Sequence, residues 1–169
     1  MSIKIREAEI NDLEAITKLL DELAVFEDKS PQDNGLTREK LLRHAFGSQP
    51  YISLLVAEED NIVAGLAIYH FTYSVSAGAP ALYLEDLFIS ENHRHHRMGT
   101  LLLSRLAQIA LQKECCRMEW HTFSWNTQAI SFYTSLNCTF RPDSIPVRMQ
   151  GEALIELSNF EEGAIQRIK

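Results

Sequence analysis

Residues 83–110, with the sequence YLEDLFISENHRHHRMGTLLLSRLAQIA, constrain the fold more than any other part of the chain. A hydrophobic run ending near Ser90 predicts a strand, and leucines at helical spacing from Met98 onward predict a long amphipathic helix. The turn between them is polar and basic. The first amides of a helix have no intrahelical acceptor and lie at the positive end of its macrodipole, so this arrangement favours binding of an anion such as pyrophosphate. Arg94 and Arg97 add positive charge, and a purely solvated connection is the alternative.

The chain on either side of this segment shows the period of a strand in some stretches and of a helix in others. Strand periodicity is found at 3–8, 51–58, 62–73, 81–90 and 117–123, with a further short strand at 147–149. Helical periodicity is found at 13–25, 40–46, 98–113 and 127–136. The second helix is expected to begin at a Thr37 cap, and the acidic turn 59–61 joins two strands in a hairpin.

The order of these elements predicts an α/β fold with a mixed central sheet and helices on both faces. One helix separates the strands at 81–90 and 117–123, so these two strands are expected to run parallel, whereas the preceding strands form an antiparallel meander. The sequence has no internal repeat, low-complexity tract or linker. We therefore expect a single domain over residues 1–169.

Charge and composition exclude several classes of function. The 169 residues carry a formal charge of -7, and this acidic balance gives no basic footprint for nucleic acid. No window approaches the roughly 18 consecutive apolar residues of a membrane span. The charged N-terminus has no leader-like apolar region, so we expect a cytoplasmic protein without a membrane partner.

The histidines and cysteines do not form a recognisable metal motif. His93, His95 and His96 lack the i, i+4 spacing of a helical ligand pair, and we expect them in a polar turn. The three cysteines are odd in number and include no C-x-x-C. We expect neither a metal site nor a disulfide framework.

Several ordered segments together carry a family resemblance. The run from Arg94 to Gly99, RHHRMG, resembles the acetyl-CoA loop of the GNAT superfamily, and it follows YLED at 83–86 as it does in the spermidine/spermine N-acetyltransferase-like branch. Similar segments are ELAVFE at 22–27, YHFTY at 69–73 and WNTQAISFY at 125–133. The resemblance implies the GNAT, or acyl-CoA N-acyltransferase, fold.

The resemblance also implies where acetyl-CoA binds. The main chain of Leu87, Phe88 and Ile89 would pair with the pantetheine arm, and Asn126 would reach the cofactor. A role as a plain helix cap is the alternative for Asn126. The pyrophosphate would be held by the loop residues Arg94, His95, His96, Arg97, Met98, Gly99 and Thr100. The chain departs from the family at Arg97, where the first loop glycine usually stands and allows a positive φ.

The resemblance further implies the groups that move protons. Tyr133 would be the general acid for the departing thiolate, and Glu85 the general base, acting through a water. Strand alternation places Asp86 on the face opposite Glu85. A core position for Tyr133 and structural ion pairs for Glu85 and Asp86 are the alternatives. Glu27 matches an acidic position on the substrate side.

These implications predict an N-acetyltransferase that moves acetyl groups to the primary amine of a small molecule, polyamine-like or amino-acid-like. The loops at 74–79 and 143–146 lack the acidic and aromatic residues with which polyamine-specific members hold a polycation. A homodimer is expected by analogy and because two-fold dimers are the commonest oligomers. The alternative function is a catalytically silent CoA-binding sensor or partner domain.

Overall fold

The chain divides into two compact units, residues 1–121 and 122–169. The computed structural model describes residues 2–33, 35–94 and 97–159. The first unit contains β1 (Ile3–Glu7), α1 (Leu13–Phe26), α2 (Arg38–Ala45), β2 (Ser53–Glu59), β3 (Ile62–Ser74), β4 (Ala79–Ile89), α3 (Met98–Gln112) and β5 (Met118–Glu119). The second contains α4 (Thr127–Ser135) and α5 (Glu152–Ser158).

The five strands form one sheet in the order β1-β2-β3-β4-β5. The first four are antiparallel neighbours, and β5 pairs with β4 in parallel. The parallel pair, reached through α3, and the meander before it confirm the sequence prediction. The α/β fold with a mixed sheet is also confirmed.

One face of the sheet packs against α1 and α2. The apolar side chains of α1 repeat at helical spacing, and they share a buried cluster with alternate residues of β2, β3 and β4. The cluster consists of Leu13, Ile16, Leu19, Leu20, Leu41, Leu54, Val56, Leu66, Ile68 and Phe88. The predicted cap of α2 is present, since Thr37 Oγ1 accepts a hydrogen bond from the Lys40 amide at 3.4 Å.

The other face packs against α3, whose Leu102 and Leu106 are fully buried. The helix approaches β3 closely at Gly65. A Cβ added there would lie 2.6 Å from Ile89 Cδ1, 3.1 Å from Ala57 Cβ and 3.5 Å from Leu102 Cδ1. Helices therefore cover both faces of the sheet, as predicted.

Two strand predictions need correction. Of the strand expected at 117–123, only Met118–Glu119 pairs with another strand. The strand expected at 147–149 is wrong, because these residues pair with no strand of the described sheet. Val147 is 93% exposed, so its β-branched side chain has no buried surface to stabilise an extended ladder. No helix of the described residues is long and apolar enough to cross a membrane.

Candidate functional site

A bulge in β4 sets the geometry of the candidate site. Ile68 of β3 pairs with Asp86 and the next residue, Tyr69, pairs with Leu84, so Glu85 is the extra residue of the ladder. A bulge interrupts the strict alternation of side chains. Asp86 shares the face of Ile68, which belongs to the α1 cluster, and Glu85 lies 3.5 Å from His70, two residues beyond Ile68 on that face. The expectation that Glu85 and Asp86 point to opposite faces is therefore wrong.

Glu27 joins these two residues at the end of α1. Burial raises the pKa of Asp86 to about 6, with smaller contributions in the same direction from Glu27 and then Glu85. Lys29 opposes the shift and forms an ion pair with Glu27 at 2.5 Å. The structure thus brings together the predicted base Glu85, the predicted substrate-side Glu27, and Asp86.

Sequence reasoning did not single out two histidines that lie beside these carboxylates. His70 Nδ1 is 3.5 Å from Glu85 Oε1, and the His70 ring contacts Tyr83 with 5.2 Å between centroids. The Tyr83 hydroxyl is 2.5 Å from His121 Nδ1. The signal was present in the predicted hairpin, because the β3–β4 register pairs His70 with Tyr83.

The outer edge of β4 is suited to a linear ligand with amide groups. Its parallel partner β5 pairs only with Leu82 and Tyr83. In the described sheet, no strand lies beyond β4 at 87–89, so outward-directed main-chain groups there can hydrogen-bond to an amide-containing ligand. Phe88 keeps its side chain in the α1 cluster, and its main chain pairs with Leu66 of β3.

The N-terminus of α3 begins beyond that edge. Arg97 is its N-cap residue and has a left-handed backbone with φ 62° and ψ 10°. Its carbonyl accepts from the Leu101 amide at 3.0 Å, which leaves the amides of Met98, Gly99 and Thr100 without an intrahelical acceptor. The first turn of α3 carries no acidic residue. These features fit the pyrophosphate of acetyl-CoA. His95 and His96 lie outside the described residues.

Arg94 contacts two aromatic rings and the end of β4, and its cofactor role stays a prediction. Its guanidinium lies 5.1 Å from the ring centroid of Phe26 and 5.7 Å from that of Phe88, and its Nε donates to the Ile89 carbonyl at 3.1 Å. Cation–π contacts and a charge-assisted hydrogen bond hold it against the α1 side of the sheet. Arg94 therefore connects the end of β4 to the end of α1.

The second unit carries Asn126 and Tyr133 on α4. Asn126 Oδ1 accepts from the Ala129 amide at 3.1 Å, so its capping role is confirmed. Tyr133 is 8% exposed, and burial, followed by a smaller effect of Cys138, raises its pKa. A phenol with a raised pKa stays protonated and able to donate. The cofactor role of Asn126 and the acid role of Tyr133 stay predictions.

Candidate metal ligands do not cluster in the part of the chain that is described, where no group of three such side chains is found. His93 is instead 2.5 Å from the buried carboxylate of Glu59. That contact ties the turn before α3 to the end of β2.

Comparison with known proteins places this geometry among acetyltransferases. A family model described as "Acetyltransferase (GNAT) family" matches residues 13–137. Thialysine N-epsilon-acetyltransferase of Mus musculus is 32% identical over 168 residues, covering 93% of this chain and 98% of that protein. Spermidine/spermine N(1)-acetyltransferase-like protein 1 of Homo sapiens is 35% identical over 139 residues, covering 78% of this chain but 20% of that protein.

A solved structure shares the fold. An integron cassette protein from the mobile metagenome of V.cholerae matches with a TM-score of 0.79 and 23% identity, covering 95% of this chain and 99% of that one.

Proposed function

We propose that this chain, which belongs to the acetyltransferase (GNAT) family and is an acetyl-CoA-dependent N-acetyltransferase, acetylates the primary amine of a small amino-acid-like molecule. The observation that carries the choice of a cationic acceptor is a group of three carboxylates: Glu85 and Asp86 at the β4 bulge, and Glu27 at the end of α1. Negative charge concentrated on one face attracts an ammonium group and orients it.

The residues of the β3–β4 turn favour a short acceptor over a polyamine. Residues 75–78 are Val-Ser-Ala-Gly, which supply neither acidic nor aromatic side chains to hold a second or third cationic centre of a polyamine. An acceptor with one reacting ammonium group, such as the thialysine in the mouse relative's name, fits this turn better than spermidine.

Acetyl-CoA, when bound, supplies the acetyl thioester. The open edge of β4 at Leu87, Phe88 and Ile89 would hold its amide-containing arm, and the first amides of α3 at Met98, Gly99 and Thr100 would hold its phosphates. Arg97 is exposed at the same helix end and adds a cation there. Asn126 and the loop residues Arg94, His95 and His96 complete the proposed binding set.

Two side chains of the chain would move protons. An alkylammonium with a pKa of about 10.4 must lose a proton before its nitrogen can attack, and Glu85 is the group proposed to accept that proton through a water. The Tyr133 hydroxyl would donate a proton to the departing sulfur. The buried phenol is protonated near neutral pH, so the hydroxyl carries the proton that this role requires.

A transfer assay tests the proposal. The pure protein is incubated with labelled acetyl-CoA and a panel of amines that includes thialysine, lysine, ornithine and spermidine. We expect label on a short amine, with kcat reduced about 100-fold in Glu85→Gln and in Tyr133→Phe. Tyr51→Phe, an exposed tyrosine distant in sequence from the site segments, is the matched control. Cofactor binding without transfer to any amine would instead identify a silent CoA-binding sensor or partner domain.

We also propose that residues 1–169 form a single domain and that the protein is a homodimer. The second unit exposes apolar side chains that a partner copy would cover, with Ile145 at 82% and Val147 at 93% exposure. The family model spans the boundary between the two units, which supports one domain. Light scattering at several concentrations tests the dimer, and a monomer at high micromolar concentration would contradict it.

The remaining expectations concern location and cofactors. The acidic composition supports a cytoplasmic enzyme without nucleic-acid or membrane partners. We propose that catalysis needs no metal, so full activity should persist after dialysis against a chelator. Activity that is lost on dialysis and restored by a divalent metal would overturn this proposal.

A further inference from the structure

The α1 face of the sheet carries a row of four side chains that ends at Glu85, and we call it the histidine row. It runs from His121 to Tyr83, then to His70, then to Glu85. The first link is the 2.5 Å contact between Tyr83 Oη and His121 Nδ1. The second is the contact between the Tyr83 and His70 rings, and the third is the 3.5 Å approach of His70 Nδ1 to Glu85 Oε1.

The outer part of the row fixes the position of the His70 ring. Burial, and then the neighbouring carboxylates Glu85, Glu119 and Asp86, raise the pKa of Tyr83, so its phenol stays protonated. The hydroxyl is hydrogen-bonded to His121 Nδ1, and this contact orients the Tyr83 ring on which His70 packs. His70 Nδ1 is thereby held toward the carboxylate of Glu85.

The chemistry of the proposed reaction needs a group in this place. A carboxylate is a weak base for an alkylammonium proton, whereas an imidazole is stronger by roughly two pKa units in water and is the usual side chain for proton exchange near neutral pH. A proton left on Glu85 returns readily to the amine. A neighbouring imidazole that takes it restores the carboxylate and lowers the chance of return.

We propose that His70 is the proton-accepting partner of Glu85, an inference that rests on the proposed function. The N–H bond of the substrate ammonium breaks and its electron pair stays on nitrogen. The proton passes to Glu85, directly or through a water, and then forms an N–H bond at His70 Nδ1. The products of the step are a neutral amine, an ionised Glu85 and an imidazolium that faces it.

The His70–Glu85 pair is open to solvent. His70 is 29% exposed and Glu85 is 47% exposed, so the proton can leave to solvent after each turnover. The titratable and charged groups around this pair are Tyr83 and Asp86 of β4, Glu119 of β5 with its ion-pair partner Arg117, His121 beyond β5, and Glu27 and Lys29 at the end of α1.

His70→Gln tests the inference because glutamine keeps a donor toward Glu85 but cannot take up a proton. With thialysine as acceptor, or the best amine of the panel, we expect kcat to fall about 20-fold at pH 7 with an unchanged KM for acetyl-CoA. The deficit should narrow to about threefold at pH 9.5, where the amine loses its proton to solvent. His44→Gln is the matched control, since His44 is also partly buried against a tyrosine ring, Tyr51.

The outcomes for His70 and for the proposed function can be distinguished. A His70→Gln enzyme within threefold of wild type at every pH would overturn the inference, as would a loss that is the same at every pH. A wild-type protein that acetylates no amine would defeat the proposed function itself. In a double-mutant cycle, the variant carrying both Glu85→Gln and His70→Gln should lose no more kcat than Glu85→Gln alone, because the two residues act as a unit.

A wild-type measurement covers the case in which His70→Gln does not fold. The nitrogen resonances of His70 are followed by NMR as the pH is raised, with assignment through bonds. The midpoint of their titration should coincide with the acidic limb of the kcat/KM profile, which reports groups of the free enzyme. A midpoint that differs by more than about half a pH unit would overturn the inference.

Discussion

The carboxyl of Asp86 lies within electrostatic range of Glu27, although α1 and β4 place the two residues far apart in the sequence. Burial is the larger cause of the raised pKa of Asp86, about 6, and Glu27 is the next. The folded chain therefore binds a proton at Asp86 more tightly than the unfolded chain does. This contribution to stability is complete below the ordinary carboxyl pKa and is lost as the pH rises through about 6.

Asp86→Asn should accordingly stabilise the protein at pH 8. The expected gain is about 1–2 kcal/mol after allowance for solvent screening, and it should vanish near pH ~2.5, where Asp86 is protonated in both states. Urea unfolding at the two pH values measures the difference. Asp143→Asn, at an exposed position, is the control and should change stability by less than about 0.5 kcal/mol at either pH. An equal effect of Asp86→Asn at both pH values would contradict the assignment.

Arg97 combines a strained backbone with a proposed phosphate contact, and two substitutions separate these properties. Arg97→Gly relieves the left-handed conformation and should raise stability by about 0.5–1 kcal/mol, whereas Arg97→Ala keeps the strain. Both remove the cation and should raise the Kd for acetyl-CoA about 3–10-fold by calorimetry. Neither should change the binding of S-acetylpantetheine, which has no phosphate. Weaker binding of that ligand as well would show a general distortion of the site.

The packing of neighbouring strands around Gly65 predicts a steric coupling with its cross-strand partner Ile89. Gly65→Ala should destabilise the protein by about 1–3 kcal/mol, because the new methyl group meets Ile89 Cδ1 and Ala57 Cβ. Ile89→Val removes Cδ1 and should reduce the cost of Gly65→Ala by about 1 kcal/mol. Thermal unfolding of both single variants and the double variant measures this coupling. Additive effects would mean that the Ala57 contact dominates.

Asn126 offers a test of its two roles. Asn126→Ala removes the cap of α4 and should cost about 1 kcal/mol of stability, while Asn126→Asp keeps an acceptor for the Ala129 amide. If Asn126 also reaches the cofactor, the aspartate variant should fold normally yet bind acetyl-CoA several-fold more weakly, because its charge repels the phosphates. Normal binding by Asn126→Asp would leave the residue as a cap alone.

The parts of the fold that follow from local patterns were predictable from the sequence. Leucine spacing placed α3, Thr37 marked the start of α2, and a single helix between two strands implied their parallel pairing. The strand at 147–149 failed because its pattern of apolar residues requires a partner strand, and pairing is a property of the whole chain. Strand periodicity alone carries no information about such a partner.

The candidate site was predictable in its members and less so in its geometry. Glu27 and Glu85 were chosen through family resemblance, and the structure brings them together. Asp86 was assigned to the wrong face, because a bulge depends on how two strands register and not on either strand alone. The contact of the Arg94 guanidinium with the rings of Phe26 and Phe88 could not be predicted, because these rings meet only in the folded chain.

The extra residue in β4 also changes which face of the sheet the odd-numbered and even-numbered side chains occupy. Leu84 pairs with Tyr69 and Asp86 with Ile68, so odd-numbered residues before Glu85 share a side with even-numbered residues after it. Deleting one residue here would restore regular alternation and rotate one half of the strand by half a turn relative to the other. The length of β4 is thus constrained more tightly than its composition, and a chimaera with a relative should be joined in the turn at 75–78 and not within 83–87.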